Sequence, residues 1–523
     1  MSVRDDDRAV RESYERVPYP SGSQPETHPA HLAALAILGG LDPAPPQESR
    51  VLELGCADGG NLVPMAIEFP RARFVGIDLA PRQIDDARAF AQSMSLANID
   101  FRAMSILDVD KSHGQFDTIL CHGVFSWVGE AVQEKIFEIC RENLAPNGVA
   151  YISYNIYPGW HHRALVRDAV LFHTRDVDDL HEKTKRAFEF MHFLAESAGE
   201  GTDAHSVLLR TGLEHFENHS ERPEYVTHEY LEATNAPCYF RDFVARAAQH
   251  GLRYVADAEP ALGEVDALPA NVAAKLCGFA SNDIDLQQYV DFVTNRSFRR
   301  SILTRDDAPR SSAPLPVSRL FASSAAKAQS ADPDLRAAVT ESFLTERGKP
   351  FSSTHPLAKS ALVALAAQWP RSIAFEELRT DMQARLRSPV ERDALADLLT
   401  SLHAFDVVDL RATPPNCVNR MSDRPRASEL ARRQATAGLL VSNQRHRLVK
   451  LDDPVARFLL PLLDGTRDHH ALLRLLDREA AQQRLDLSLD GKTAVDARRV
   501  PAILQAVLDH HLKKMVEYAL LVE

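Results

Sequence analysis

The run Val51-Leu52-Glu53-Leu54-Gly55-Cys56-Ala57-Asp58-Gly59-Gly60-Asn61 most constrains what this chain can fold into. An apolar stretch ends in glycine, turns through small residues and leads into a helical stretch over 61–69. Glycines at such a turn let the backbone approach a ligand closely, and the first turn of the following helix offers unpaired N–H groups. The flanking text keeps the alternation. Residues 50–55, 73–78, 99–102, 116–121 and 149–154 read as strands, and 81–94 and 132–144 as helices. Pro146-Asn147-Gly148 reads as a turn. Strands alternating with helices pair in parallel, so the spacing predicts an α/β fold with a doubly wound sheet.

The loop also narrows the ligand. Asp78 closes the second strand ~20 residues beyond the loop, where a carboxylate accepts both hydroxyls of a ribose. The glycine pattern that cradles pyrophosphate is not there: the text is Gly55-Cys56-Ala57-Asp58-Gly59. The Asp58 carboxylate repels pyrophosphate but tolerates a cationic sulfonium nucleoside, which favours S-adenosylmethionine over NAD.

Around this core the text changes character. Residues 1–50 are proline-rich, and each proline pushes its predecessor toward extended geometry, so no long helix fits residues 14–21. Thr27 or His28 before Pro29 starts a helix that runs through 31–38. From 163 to about 298 the strand pattern fades, and 163–175, 182–196 and 239–250 look helical. Residues 305–334, rich in Ser, Ala, Pro and Asp, read as a linker. Helices over 358–369, 375–386 and 389–403 followed by a short strand at 407–410 give a winged-helix order, and 416–523 reads as a second, diverged copy.

Composition excludes several classes. The chain carries 60 basic and 73 acidic side chains, net −13, which argues against a nucleic-acid coat or a polybasic anchor. The helix at 389–403 holds Glu391, Asp393 and Asp397 against Arg392 alone, a poor face for phosphate, so no nucleic-acid partner is expected. No stretch approaches the ~18 uninterrupted apolar residues of a membrane span. Six cysteines without CxxC spacing suggest neither a disulfide framework nor a zinc site. His215 and His219 share helical spacing, but no glutamate follows His215, and no metal is expected. The start of the chain lacks the apolar core of a secretory signal, and a cytoplasmic location is expected.

Residues 51–154 resemble a class I S-adenosylmethionine-dependent methyltransferase, with its Rossmann-like sheet. Finer text is similar to a bacterial family that carries a methyltransferase regulatory domain and includes lysine methyltransferases of outer-membrane proteins. That likeness rests on Tyr19-Pro20-Ser21, Thr27-His28-Pro29, Glu53-Leu54-Gly55-Cys56, Gly76-Ile77-Asp78-Leu79, the run His122–Val128, the run Ser153–Trp160, His228-Glu229-Tyr230-Leu231 and Asp291-Phe292-Val293. It implies an N-terminal lid or strap (1–48), a methyltransferase domain (49–175) and a helical regulatory domain (176–304). A linker (305–340) and two winged-helix-like modules (341–415 and 416–523) follow.

The resemblance also implies roles. Gly55, Cys56 and Gly59 line the methionine and ribose through their backbone, with Glu53 beneath the loop. Asp78 holds the ribose and Leu79 packs near adenine. Ser105 stands where an acid often takes the adenine amino group. Ala57, Asp58, Asn61, Ile106, Cys121 and His122 complete the expected cofactor set.

Methyl transfer from a sulfonium is an in-line displacement, governed by positioning and exclusion of water. Catalytic candidates lie at the C-terminal strand ends: His122, as cofactor wall or as base, and Tyr154. Trp127, Tyr154, Tyr157 and Trp160 suit an aromatic channel for a cation. Tyr14, Tyr19 and His28 are expected to form a lid over the cavity. The leading expectation is methylation of a protein lysine. The alternatives are a small-molecule N- or O-methyltransferase and a silent cofactor-binding regulator. Neither the acceptor nor the oligomeric state is legible in the sequence.

Overall fold

The structure, a computed structural model, describes residues 11–12, 14–19, 21–219, 223–259, 265–309, 317–482, 488–489, 492–493 and 500–522. It divides into two compact units. The first is built from the described residues of 1–21, 41–66 and 70–311, the second from those of 22–40, 67–69 and 312–523.

The first unit is organised by a seven-stranded sheet. Its strands are β1 (Arg50–Leu54), β2 (Arg73–Asp78), β3 (Ile99–Ala103), β4 (Phe116–Cys121), β5 (Leu144–Asn155), β6 (Leu252–Asp257) and β7 (Phe298–Arg305). Their order is β3-β2-β1-β4-β5-β7-β6. Strands β1 to β5 are parallel, and β1 is central, with Glu53 opposite Gly76 of β2 and Leu120 of β4. Val51, Leu52 and Leu54 are all buried, as expected of a strand covered on both faces. Leu52, Leu54, Ile119, Phe137 and Ile152 pack into one apolar cluster. The order reverses between β1 and β4, so the crevice at their C-terminal ends is the topological switch point where open α/β sheets bind ligands.

The predicted strands at 73–78 and 116–121 match β2 and β4 to the residue. Two differences stand out. The expected turn at 146–148 lies inside β5, and a register shift between Phe116 and Thr118 absorbs the irregularity. The sheet is also mixed, not wholly parallel: β7 runs antiparallel to β5 and β6, and both late strands come from the region expected to be helical. The sheet of the expected 49–175 domain is therefore completed by 176–304. Strand β7 escapes notice because Arg299 within it is fully buried, paired with Asp291 at 2.8 Å and Asp257 at 3.4 Å. A reading by hydrophobicity scores such a residue as exposed. The same region supplies helices Trp160–His173, Leu180–Ala198, Ala204–Glu217, Phe240–Gln249, Ala270–Phe279 and Asp283–Thr294.

In the second unit, His28 caps helix Pro29–Leu38, with proline at its first position as the sequence suggests. Ala34 and Ile37 of this helix share an apolar cluster with Leu362, Leu365, Phe375, Leu395 and Leu399. The expected single N-terminal strap is thus divided between the units near Ser21. Helices Pro356–Gln368, Phe375–Leu386 and Arg392–Ala404 lead into strand Asp409–Arg411. That strand pairs with Phe321–Ser323, which lies in the segment expected to be linker. The C-terminal module gathers helices Glu429–Ala437, Pro454–Leu459, His469–Ala481 and Val500–Glu517 with the hairpin Leu440–Ser442 and Leu448–Lys450. Among the described residues no helix is long and apolar enough to cross a membrane.

Candidate active site

The loop after β1 is shaped by three residues in the left-handed region: Gly55 (φ 78°), Ala57 (φ 47°) and Gly59 (φ 79°). A Cβ on Gly55 would stand 2.5 Å from Val124 Cγ2, so side-chain sterics as well as φ require glycine there. The Gly55 and Cys56 N–H groups both donate to Ile77 O, at 2.9 and 3.0 Å, tying the loop to the end of β2. The same turn brings the Ala57 N–H to Asp78 Oδ2 at 2.9 Å, while Asp78 Oδ1 accepts from Ala80 N–H at 2.9 Å. Asp78 is thereby fixed at the strand end, with lone pairs beyond those two bonds. Burial raises its carboxyl pKa, and the backbone N–H bonds oppose that rise.

Glu53 lies buried in β1. Its Oε1 accepts from Asn61 Nδ2 at 2.7 Å, and its Oε2 has no hydrogen-bond partner. Burial pushes its carboxyl up to about 7. An orphaned carboxylate oxygen at the switch point is a place for a ligand cation. Asn61, expected on the cofactor itself, orients Glu53.

Other expected cofactor residues are engaged in the protein. Asp58 accepts a short hydrogen bond from the Ser21 hydroxyl and another from the Gly60 N–H at 3.2 Å. Ser21 Oγ in turn accepts from Gly60 N–H at 2.7 Å. Asp58 thus anchors the N-terminal segment to the loop. Ser105 caps the short helical turn Ile106–Asp108 by accepting from Leu107 N–H at 3.2 Å. The Cys121 side chain is fully buried in the sheet core, and burial pushes its thiol up, so only its backbone remains for a ligand. Cys56 is buried against Gly76, whose Cβ would meet its Sγ at 2.8 Å.

At the end of β4, His122 is half-buried, and its Nδ1 and the Tyr151 hydroxyl share a hydrogen bond of 2.9 Å. Ser153 Oγ accepts from Gly123 N–H at 2.8 Å on the same face of β5. Tyr154, expected to be catalytic, faces the other way. It stacks on Phe243 at 3.8 Å, meets the Ser301 hydroxyl at 2.8 Å and is 1% exposed. The correction follows from the two-residue repeat of a strand: residues 151 and 153 share one face, and 154 takes the other. Tyr151 is the aromatic beside His122, and the sequence reading missed it.

Trp127 meets the buried Trp160 edge to face at 6.2 Å, and the Arg163 guanidinium lies 5.3 Å from the Trp160 ring centroid. Tyr157 stacks on His161 at 4.1 Å. The lid residues separate. Tyr14 stacks on His228 at 4.5 Å, and Tyr19 meets the same ring edge-on at 5.5 Å. Gln83 Nε2 donates to Tyr19 O at 3.0 Å. His28 is the exception and a correction. It is fully buried in the second unit, its Nδ1 accepting from Ala30 N–H at 3.3 Å and its Nε2 lying 3.1 Å from Glu68. Its function is to cap a helix.

The set fits an S-adenosyl nucleoside: a fixed strand-end carboxylate for ribose hydroxyls, glycine-shaped backbone, and an orphaned carboxylate oxygen for an ammonium. Comparison with known proteins agrees. Residues 51–148 match the family described as "Methyltransferase domain", 222–305 "Predicted methyltransferase regulatory domain" and 423–520 "PKMT, C-terminal winged helix domain". The uncharacterized protein RP789 of Rickettsia prowazekii is 30% identical over 97% of this chain and 93% of its own length. A second, RP028 of the same organism, is 36% identical over 45% of this chain. The solved structure of PKMT2 from Rickettsia typhi in complex with AdoHcy superposes with a TM-score of 0.85 at 28% identity, covering 97% of this chain and 100% of that one.

Proposed function

Because the chain belongs to the family of RP789 and is an S-adenosylmethionine-dependent methyltransferase, we propose that its methyl acceptor is a lysine side chain of a protein. The likeness to PKMT2 along nearly the whole chain carries this reading, because the methyltransferase match itself covers only 51–148.

S-adenosylmethionine, when bound, supplies an electrophilic methyl group on a sulfonium. Asp78 would accept from the ribose hydroxyls, the 55–59 backbone would line the methionine side, and Glu53 Oε2 would receive the ammonium. A lysine acceptor must lose a proton before its nitrogen can attack. His122, whose ring orientation Tyr151 sets, is the group proposed to receive it.

Incubating cell lysate with the purified protein and methyl-labelled cofactor tests the acceptor. Label in the protein fraction, recovered as methyl-lysine after hydrolysis, is the expected result. Label confined to low-mass material, or absent altogether, would overturn the reading.

A further inference from the structure

We propose that His228, oriented by Glu232, is the positioning residue that holds the N-terminal segment against the cofactor loop. The inference rests on the cofactor-dependent activity and not on which acceptor is used.

The segment from Tyr14 to Ser21 has two ends, and both are pinned. Ser21 is fixed to the loop after β1 through Asp58 and Gly60. Tyr19 O is held by Gln83 of helix Pro81–Ser93, which follows β2. At the other end His228 supplies three contacts at once. Its Nε2 donates to Val17 O at 2.8 Å, and its ring carries Tyr14 stacked at 4.5 Å and Tyr19 edge-on at 5.5 Å. The anchors thus span from the elements that end at Asp78 to the regulatory region.

His228 is equipped for this task. It sits in a π-helical turn, Thr227–Leu231, a conformation that is rare and concentrated at functional sites. Three contacts brace the turn. Thr227 Oγ1 lies 2.6 Å from Thr184 Oγ1, Glu229 pairs with Arg163 at 2.9 Å, and Arg167 donates to Glu232 O. The His228 ring is 4% exposed. Its Nδ1 lies 2.8 Å from Glu232 Oε1. With Nδ1 held by the carboxylate, Nε2 is presented to the carbonyl of Val17, which can only accept. A carboxylate that fixes a histidine's orientation through the far nitrogen is a recurrent device where ring direction matters.

Two variants of the full-length protein test this. His228→Phe keeps the ring for Tyr14 and Tyr19 but removes both hydrogen bonds. It should weaken S-adenosylhomocysteine binding and lower kcat, each by at least tenfold. Glu232→Gln retains a hydrogen-bonding partner and should lose three- to tenfold. Hydrogen exchange of residues 14–21 supplies the readout that a purely structural role would not move. Their amides should gain protection on adding S-adenosylhomocysteine to the wild type and not in His228→Phe. Unchanged affinity and kcat in His228→Phe, or equal protection of 14–21 in both proteins, would overturn the proposal. So would losses in His228→Phe that merely follow a drop in its melting temperature.

Discussion

Asp78 Oδ2 accepts the Ala57 N–H at 2.9 Å, so the residue expected to hold the ribose also holds the loop that must approach it. Two functions therefore meet in one carboxylate. Asp78→Ala should weaken S-adenosylmethionine binding by about 1–3 kcal/mol, the range for losing a charged hydrogen-bond partner. The fold should survive, because β2 keeps its pairing with β1 and β3. Calorimetry checks both: unchanged affinity in a folded protein would remove Asp78 from the site.

Glu53 links affinity and stability to pH. Its folded-state pKa of about 7 lies above the ordinary 4.5, so the folded protein retains a proton that the unfolded chain releases. Stability of the cofactor-free protein should therefore fall as pH rises from 4.5 to 7, by roughly 3 kcal/mol from this group. Glu53→Gln should abolish that fall. A cationic ligand at Oε2 favours the ionised carboxylate, so cofactor affinity should rise over the same interval in the wild type and not in Glu53→Gln. Denaturant unfolding and titration calorimetry at pH 5 and 7.5 read the two effects.

Backbone sign at the loop predicts opposite outcomes two residues apart. Gly55→Ala places a methyl group at positive φ and 2.5 Å from Val124 Cγ2, and should abolish cofactor binding with a loss of about 2 kcal/mol or more in stability. Ala57, at φ 47°, already bears the cost of a left-handed conformation. Ala57→Gly should raise stability by up to ~1 kcal/mol. Thermal unfolding of the two variants against wild type decides this.

Tyrosines 151 and 154 should separate by function. Tyr154→Phe loses a buried hydrogen bond to Ser301 and should cost about 1 kcal/mol in stability while leaving kcat within twofold. Tyr151→Phe releases the His122 ring and should lower kcat tenfold or more at similar stability. Equal kcat for both would detach His122 and Tyr151 from the reaction.

Legibility followed local chemistry. The strand–loop–helix at 50–61, the acid at 78 and the proline-started helix at 29 each depend on neighbours in the chain, and each appears where its residues suggested. The choice between Tyr151 and Tyr154 could not be read in the same way. From Val149 to Asn155 every residue of β5 is buried, so no polar alternation marks the face that meets His122. His228 stood in a quoted motif, but its task exists only against Val17 and Tyr14, more than 200 residues earlier.

By itself the sequence determined the parallel core, the glycine-dependent loop and the cofactor class, because each is set by backbone geometry and by spacing within one strand–helix repeat. Only the tertiary structure decided which side chains occupy the site. It placed Arg299 in a buried ion-paired strand and turned Tyr154 into the core. It gave His28 to a helix cap in the second unit and brought the 227–232 turn to the N-terminal segment. The reason is physical. Local periodicity records which residues avoid water, whereas buried polar contacts between distant segments are satisfied by partners that no local pattern specifies.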